Sequence, residues 1–83
     1  MNKNKKELEL LIFEIIQNLD NNFELDMNLI CGFFNTINEI PFCELYEVSI
    51  PLLILFNKLQ KIIDDKNILI NINQLESRIL NRY

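Results

Sequence analysis

The chain has 83 residues, its formal net charge at pH 7 is −4, and 49% of its residues are hydrophobic. This length supports one domain over residues 1–83, and the apolar content argues against intrinsic disorder. Because the longest apolar run, residues 50–56, is much shorter than the ~20 residues that cross a bilayer, we expect no membrane segment and a cytoplasmic protein. In a cytoplasmic protein we expect Cys31 and Cys43 to be buried free thiols, with a disulfide between them as the alternative.

Two amphipathic helices are predicted in the first half of the chain. Residues 6–19 carry apolar side chains at the spacing of one helix face, and residues 1–6 before them are predicted to form a flexible basic amino-terminus. A second helix is expected to begin near Glu24 to Asp26, where acidic side chains suit the positive end of the helix dipole, and Pro41 should end it. Its apolar positions are Met27, Ile30, Phe33, Phe34, Ile37 and Ile40.

The segment after Pro41 is predicted to form a short helical turn and then a central helix. Pro51 suits the first position of this helix, which is expected to end near Asp65. The first turns of the helix are apolar nearly all round, as expected for an element that packs in the centre of a bundle.

The last predicted element is a helix near the carboxyl end. Residues 68–72 alternate like a strand, but a lone strand has nothing to pair with, so we interpret them as an extended lead into this helix. Asn71 and Gln74 have the spacing of a capping box at its start. The side chains expected to dock it are Leu75, Ile79 and Tyr83. The sequence therefore predicts an all-α fold, a small bundle of about four helices.

Charge is distributed unevenly along the chain. Between Glu7 and Asn57 there are nine carboxylates and no lysine or arginine, whereas the rest of the chain has eight basic and three acidic residues, a net charge of +5. A continuous acidic surface attracts basic proteins and repels nucleic acid, although it can also serve solubility alone. We therefore expect a basic protein partner, whose cations meet carboxylates and whose surface buries aromatic anchors. The residues expected to bind it are Glu24, Asp26, Glu39, Phe42, Glu44, Tyr46 and Glu47.

Several residues do not fit a simple core pattern. Leu10 and Phe13 lie roughly opposite the apolar face of the first helix, so a second helix of the chain or a homodimer contact is needed to cover them. Leu53 and Ile54 pose the same alternatives. The single glycine, Gly32, is expected to mark the close approach of a neighbouring helix.

The residue types that most catalytic and metal sites need are missing from the sequence. The chain has no histidine, which removes the usual base for a cysteine nucleophile and the Glu-x-x-His motifs of di-iron bundles. Its two cysteines lack the spacing of a structural zinc site, and one glycine does not build a phosphate-binding loop. We therefore predict a protein that is not an enzyme and that has no cofactor or metal site.

The closing run ININQLESRILNRY, residues 70–83, is similar by pattern to small helical immunity proteins that neutralise RNA-cutting bacteriocins. In size and acidic balance the chain is also similar to phage-encoded inhibitors of host defence. The resemblance carries no motif, so no residue takes a role from it. We predict a small acidic protein that binds and blocks a basic, nucleic-acid-handling target, with a self-associating structural or assembly protein as the alternative.

Overall fold

Five α-helices form the part of the chain that the structure describes. The computed structural model describes the backbone of residues 2–21 and 26–81 and the side chains of residues 5–21 and 26–81, so Tyr83 and Glu24 lie outside it. In chain order the helices are α1 (Asn2–Asp20), α2 (Met27–Glu39), α3 (Phe42–Tyr46), α4 (Ser49–Gln60) and α5 (Lys66–Leu80). No strand occurs in these residues, and the prediction of a small all-α bundle is confirmed.

Helix α1 buries one face along its length. It begins at Asn2, before the start predicted from the apolar pattern, because neither glycine nor proline interrupts the polar residues that precede that pattern. The backbone of residues 2–6 is thus helical, which corrects the predicted helix start, while the flexibility expected for this basic segment stays a prediction. Leu8, Ile12 and Ile15 are buried at the i, i+4 and i+7 spacing of one helix face.

Local signals at both ends set the bounds of α2. The Asp26 carboxylate caps its first turn, because Oδ1 accepts hydrogen bonds from the backbone N–H groups of Asn28 at 3.0 Å and Leu29 at 3.3 Å. At the other end Ile40 is extended and precedes Pro41, which disfavours helical backbone at the residue before it. The predicted second helix is therefore confirmed at both ends.

Helix α4 both starts and ends earlier than predicted. It begins at Ser49, so Pro51 is its third residue rather than its first. The missing N–H costs little there too, because the first four N–H groups of a helix have no partner inside it. The helix ends at Gln60 rather than near Asp65, because the residues that follow form a turn that leads into the cap of α5. Its fully buried apolar side chains are Leu52, Leu55, Phe56 and Leu59.

The extended lead predicted for residues 68–72 is wrong, because these residues are helical. Asp65 caps α5 with Oδ1, which accepts hydrogen bonds from the N–H groups of Asn67 at 2.9 Å and Ile68 at 3.2 Å. The capping box predicted at Asn71 therefore falls inside the helix. The buried side chains of α5 have helical rather than strand spacing, and they are Ile68, Ile72, Leu75 and Ile79.

One hydrophobic core lies between the helices and receives buried side chains from all five. Helix α4 packs against both α1 and α5, which places it at the centre as predicted. Phe34 of α2 stacks on Phe56 of α4 with 5.9 Å between ring centroids, and Phe33 meets Phe34 edge to face at 5.4 Å. None of the described helices is both long enough and apolar enough to cross a membrane.

Two ion pairs indicate that α1 and α4 run in the same direction. Near the start of both helices, Lys5 Nζ lies 3.9 Å from Glu47 Oε1. Near the end of both, Lys58 Nζ lies 2.7 Å from Asp20 Oδ1. The two helices therefore lie side by side and parallel, although α1 has 19 residues and α4 has 12.

Three residues that were predicted to lie in packed surroundings are exposed. A Cβ atom at Gly32 would meet no described heavy atom within 4 Å, so the predicted close approach of a neighbouring helix is wrong. Cys31 and Cys43 are free, but both are exposed, so their predicted burial is wrong as well. The large apolar residues of α2 take up its core-facing side, which leaves Cys31 and Gly32 on the solvent side.

Candidate functional site

The short helix α3 and its C-cap carry four of the residues expected to bind a partner. Phe42 and Tyr46 are four positions apart, so they share a helix face, and their ring centroids lie 6.2 Å apart. Both rings are half-buried and pack against the core. Glu44 and Glu47 are exposed. This short segment therefore combines two partly buried aromatic rings with two carboxylates in solvent.

A cation from α5 covers one of these rings. The central guanidinium carbon of Arg78 lies 4.2 Å from the centroid of the Phe42 ring, within the range of a cation–π contact. Such a contact contributes about 0.5–1 kcal/mol at exposed sites. A partner that binds the Phe42 ring must therefore contact or displace Arg78, which joins the candidate surface. No sequence pattern placed Arg78 at this site, because it lies far from Phe42 along the chain.

Glu39 lines a shallow groove between α1 and α2. The groove places this carboxylate together with Glu7 of α1, around apolar side chains and one hydroxyl group. Lysine and arginine side chains bury their aliphatic stems on apolar surface and keep their charged ends at polar groups, so the groove suits one cationic side chain. Its other lining residues are Leu8, Leu11, Thr36 and Ile40. Sequence reasoning assigned Glu39 to the binding surface but missed Glu7.

The structure places Asp26 away from the groove that Glu39 lines. Asp26 precedes the first residue of α2 and Glu39 is the last, so they are about 20 Å apart along the helix axis at a rise of ~1.5 Å per residue. The Asp26 carboxylate also accepts two backbone hydrogen bonds as the helix cap. Asp26 therefore has a structural role. A partner that covers the groove and α3 contacts Asp26 only if that partner also spans most of α2.

Two carboxylates of the acidic run lie against lysines. Asp20 pairs with Lys58, and Glu47 pairs with Lys5 at a distance near the upper limit for an ion pair. Both pairs are partly exposed, so water screens them. Five other carboxylates of the run are exposed and form no ion pair with another described side chain, and they are Glu7, Glu14, Asp26, Glu39 and Glu44. The acidic surface is thus interrupted at two points near the ends of α1.

The residues expected to contact a second copy lie on the solvent side of the bundle. Leu10 and Phe13 of α1 are both exposed. On α4, Ile54 is exposed while Leu53 is half-buried and packs against the core. No described helix covers the first pair, so the intramolecular alternative for these two side chains is not met within the described residues.

Among the described residues, no group of three or more cysteine and carboxylate side chains is placed to hold a metal ion. A scan against protein-family models, a search of curated proteins and a search of solved structures found no match to this chain. The surfaces of the protein itself are therefore the basis for a proposed function.

Proposed function

We propose that the chain is a small non-catalytic protein that binds a basic, nucleic-acid-handling protein and blocks it. The observation that carries this proposal is the run of nine carboxylates without one lysine or arginine between Glu7 and Asn57. All the described carboxylates of this run except Glu9 are exposed, so most of their charge acts on the solvent side. Exposed charge of one sign raises the rate of association with a partner of the opposite sign.

The groove between α1 and α2 supports a specific mode of contact. A lysine or arginine of the target would place its stem against Leu8 and Leu11 and its charged end between Glu7 and Glu39. The neighbouring helix α3 adds Glu44 as a further carboxylate. A protein that binds nucleic acid presents cations spaced to meet phosphates, and carboxylates that occupy those cations compete with the phosphates.

The proposed mechanism is therefore competition for the phosphate-binding surface of the target. Such competition needs no catalytic group on this chain. It also predicts that nucleic acid and this protein exclude each other on the target, and that association slows as the salt concentration rises.

Affinity capture from the native cell with single charge reversals tests this function. Glu39→Lys and Glu44→Lys should each lose the captured basic protein, because each replaces an attraction with a repulsion. Asp64→Lys is the matched control, since Asp64 is also exposed but lies outside the acidic run. An excess of nucleic acid should release the target from the wild-type protein. Retention by both Glu39→Lys and Glu44→Lys, or a stable ternary complex with nucleic acid, would contradict the proposal.

The second candidate function is self-association as a structural or assembly protein. The exposure of Leu10 and Phe13 favours it, because large apolar side chains on one helix face lose contact with water when a second copy covers them. Light scattering at several protein concentrations checks it. An oligomer that high salt does not dissociate is expected, and a monomer at every concentration would exclude this candidate.

A further inference from the structure

A polar groove lies between the end of α2 and one side of α5. It has a volume of about 550 Å³, opens to solvent and has the buried side chain of Leu75 as its one apolar residue. None of the described residues that line this α2–α5 groove has a carboxylate, although the chain as a whole is acidic. The polar residues of the lining are Asn38 of α2 and Asn71, Asn73, Gln74, Ser77 and Arg78 of α5.

The neutral side chains of the α2–α5 groove are available to a ligand. Neither the four amides nor the Ser77 hydroxyl forms a side-chain hydrogen bond with another described residue. Asn71 is half-buried and the other amides are exposed. An amide side chain and a hydroxyl group each both donate and accept hydrogen bonds. The groove therefore offers donors and acceptors for the neutral polar groups of a bound molecule.

Arg78 supplies the one charge of the lining. The contact of its guanidinium with the Phe42 ring, at 4.2 Å from the centroid, restricts the positions that this long side chain takes. Arg78 forms no ion pair with a described carboxylate. A guanidinium binds two oxygens of a carboxylate or phosphate through parallel N–H groups, and a side chain that is already held in place loses less entropy on binding.

The carboxylates nearest to Arg78 point elsewhere. Glu76 is two positions away and so lies on the other side of α5, where its Oε1 accepts a hydrogen bond from Gln60 Nε2 at 2.8 Å. Glu39 lines the groove toward α1. Glu44 is exposed on α3, two positions after the ring that holds Arg78, so it does not share a face with that ring. No carboxylate therefore competes with a ligand for this guanidinium among the described residues.

The charges at the start of α5 are too far away to determine what binds. Asp65 and Lys66 are 13 and 12 positions before Arg78, which is about 20 Å along the helix axis at a rise of ~1.5 Å per residue. This exceeds the Debye length of ~8 Å at physiological ionic strength. The net charge of −4 disfavours anions at long range, so the affinity for an anion depends on direct contacts in the groove.

We propose that the α2–α5 groove binds a small molecule that carries one carboxylate or phosphate group together with neutral polar groups. The anion pairs with Arg78, and the amides and the Ser77 hydroxyl bind the neutral part. The volume lies within the ~300–1,000 Å³ of small-molecule sites. A polyanion such as nucleic acid does not fit, because one cation meets one phosphate while the exposed Glu39 and Glu44 repel the next.

This inference is independent of the basic target. Asn38 and Glu39 are adjacent on α2 but line different grooves, one toward α5 and one toward α1. Loss of either activity therefore leaves the other in place, and the two are tested separately.

Titration of the ¹⁵N-labelled full chain followed by NMR tests the site with three probes. Adenosine monophosphate supplies a phosphate, N-acetylglutamate supplies carboxylates, and adenosine supplies the neutral part of the first probe alone. At least one of the two anions should shift the backbone signals of residues 38 and 71–78, and which one does so identifies the oxyanion. If the phosphate is the group that binds, adenosine should bind at least about tenfold more weakly than adenosine monophosphate, because it lacks the charge-assisted hydrogen bonds.

Variants locate the contact on the protein. Arg78→Gln should raise the dissociation constant of the bound anion at least about tenfold. Lys61→Gln is the matched control, because Lys61 is also an exposed cation but lies outside the groove, and it should leave the affinity unchanged. Gln74→Ala keeps Arg78 and its ring contact and should weaken binding by a smaller factor. Helix content measured by circular dichroism checks that the variants fold.

Three results would overturn the site. One is the absence of shifts at residues 38 and 71–78 with both anions at millimolar concentration. Another is an affinity for adenosine equal to that for adenosine monophosphate, with no binding of N-acetylglutamate. The third is an anion that binds Arg78→Gln as tightly as the wild-type protein, or that Lys61→Gln weakens to the same degree.

Discussion

Replacement of Gly32 by alanine should stabilise this protein. Gly32 is an interior residue of α2, where alanine is favoured over glycine by about 0.8–1.0 kcal/mol. No described heavy atom lies within 4 Å of the position that the added Cβ atom would take, so no steric cost offsets this gain. The Thr36 hydroxyl donates a hydrogen bond to the Gly32 carbonyl at 2.9 Å, and the substitution leaves that carbonyl in place. The expected gain in the free energy of unfolding is therefore close to the full ~1 kcal/mol.

Thermal and urea unfolding followed by circular dichroism measure this gain. For a domain of this size, a change of 1 kcal/mol raises Tm by about 4–8 °C. The urea midpoint should rise while the m-value stays constant, because the added methyl group hardly changes the surface exposed on unfolding. A changed m-value would indicate an effect on the unfolded or native ensemble rather than on helix stability.

A graded series separates helix propensity from packing. Gly32→Ser should give roughly half of the alanine gain, because serine ranks between alanine and glycine in helix interiors. A lower Tm for Gly32→Ala would refute the reasoning, because it would mean that a group packs against this side of α2.

Two further predictions concern local structure. Asp65→Ala should lower the free energy of unfolding by about 0.5–2 kcal/mol, because two N–H groups at the start of α5 lose their acceptor. Urea unfolding measures this loss, and Asp64→Ala is the control. Cys31 and Cys43 should both react with a thiol reagent in the folded protein, because both are free and exposed. A thiol that reacts only after denaturation would contradict its exposed position.

Local signals were sufficient where one residue decides a helix end. Asp26 and Pro41 act on the backbone next to them, so the bounds of α2 could be predicted from the sequence. The start of α5 could not, because residues 68–72 fit two periods at once. Ile68, Ile70 and Ile72 alternate, but Ile68 and Ile72 also share a helix face with residues further on. The Asp65 cap favours the helix, and the helical conformation leaves Ile70 exposed.

The candidate surfaces were predictable only within one helix. The place of Leu10 and Phe13 opposite the apolar face of α1 could be predicted, whereas their exposure could not, because a second helix of the chain was an open alternative for covering them. The Arg78 guanidinium over Phe42 depends on how α5 packs beside α3, which no local pattern encodes. The same holds for the groove between α1 and α2 and for the ion pairs that join α1 to the α4 region. The helices could be predicted from periodicity and caps, whereas their contacts depend on packing between distant segments.

The acidic groove and the exposed pair Leu10 and Phe13 lie on different sides of α1, so one molecule can use both. Glu7 and Leu11 line the groove toward α2, whereas Leu10 and Phe13 are exposed on the side of α1 opposite its buried face. A dimer through Leu10 and Phe13, as in the second candidate function, would leave both grooves open and present them as a pair. Two linked sites raise the apparent affinity for a target with two matching cationic patches, without any new contact in either groove. Dimerisation would then determine how many grooves act together, while Glu7 and Glu39 would determine how tightly each groove binds the target.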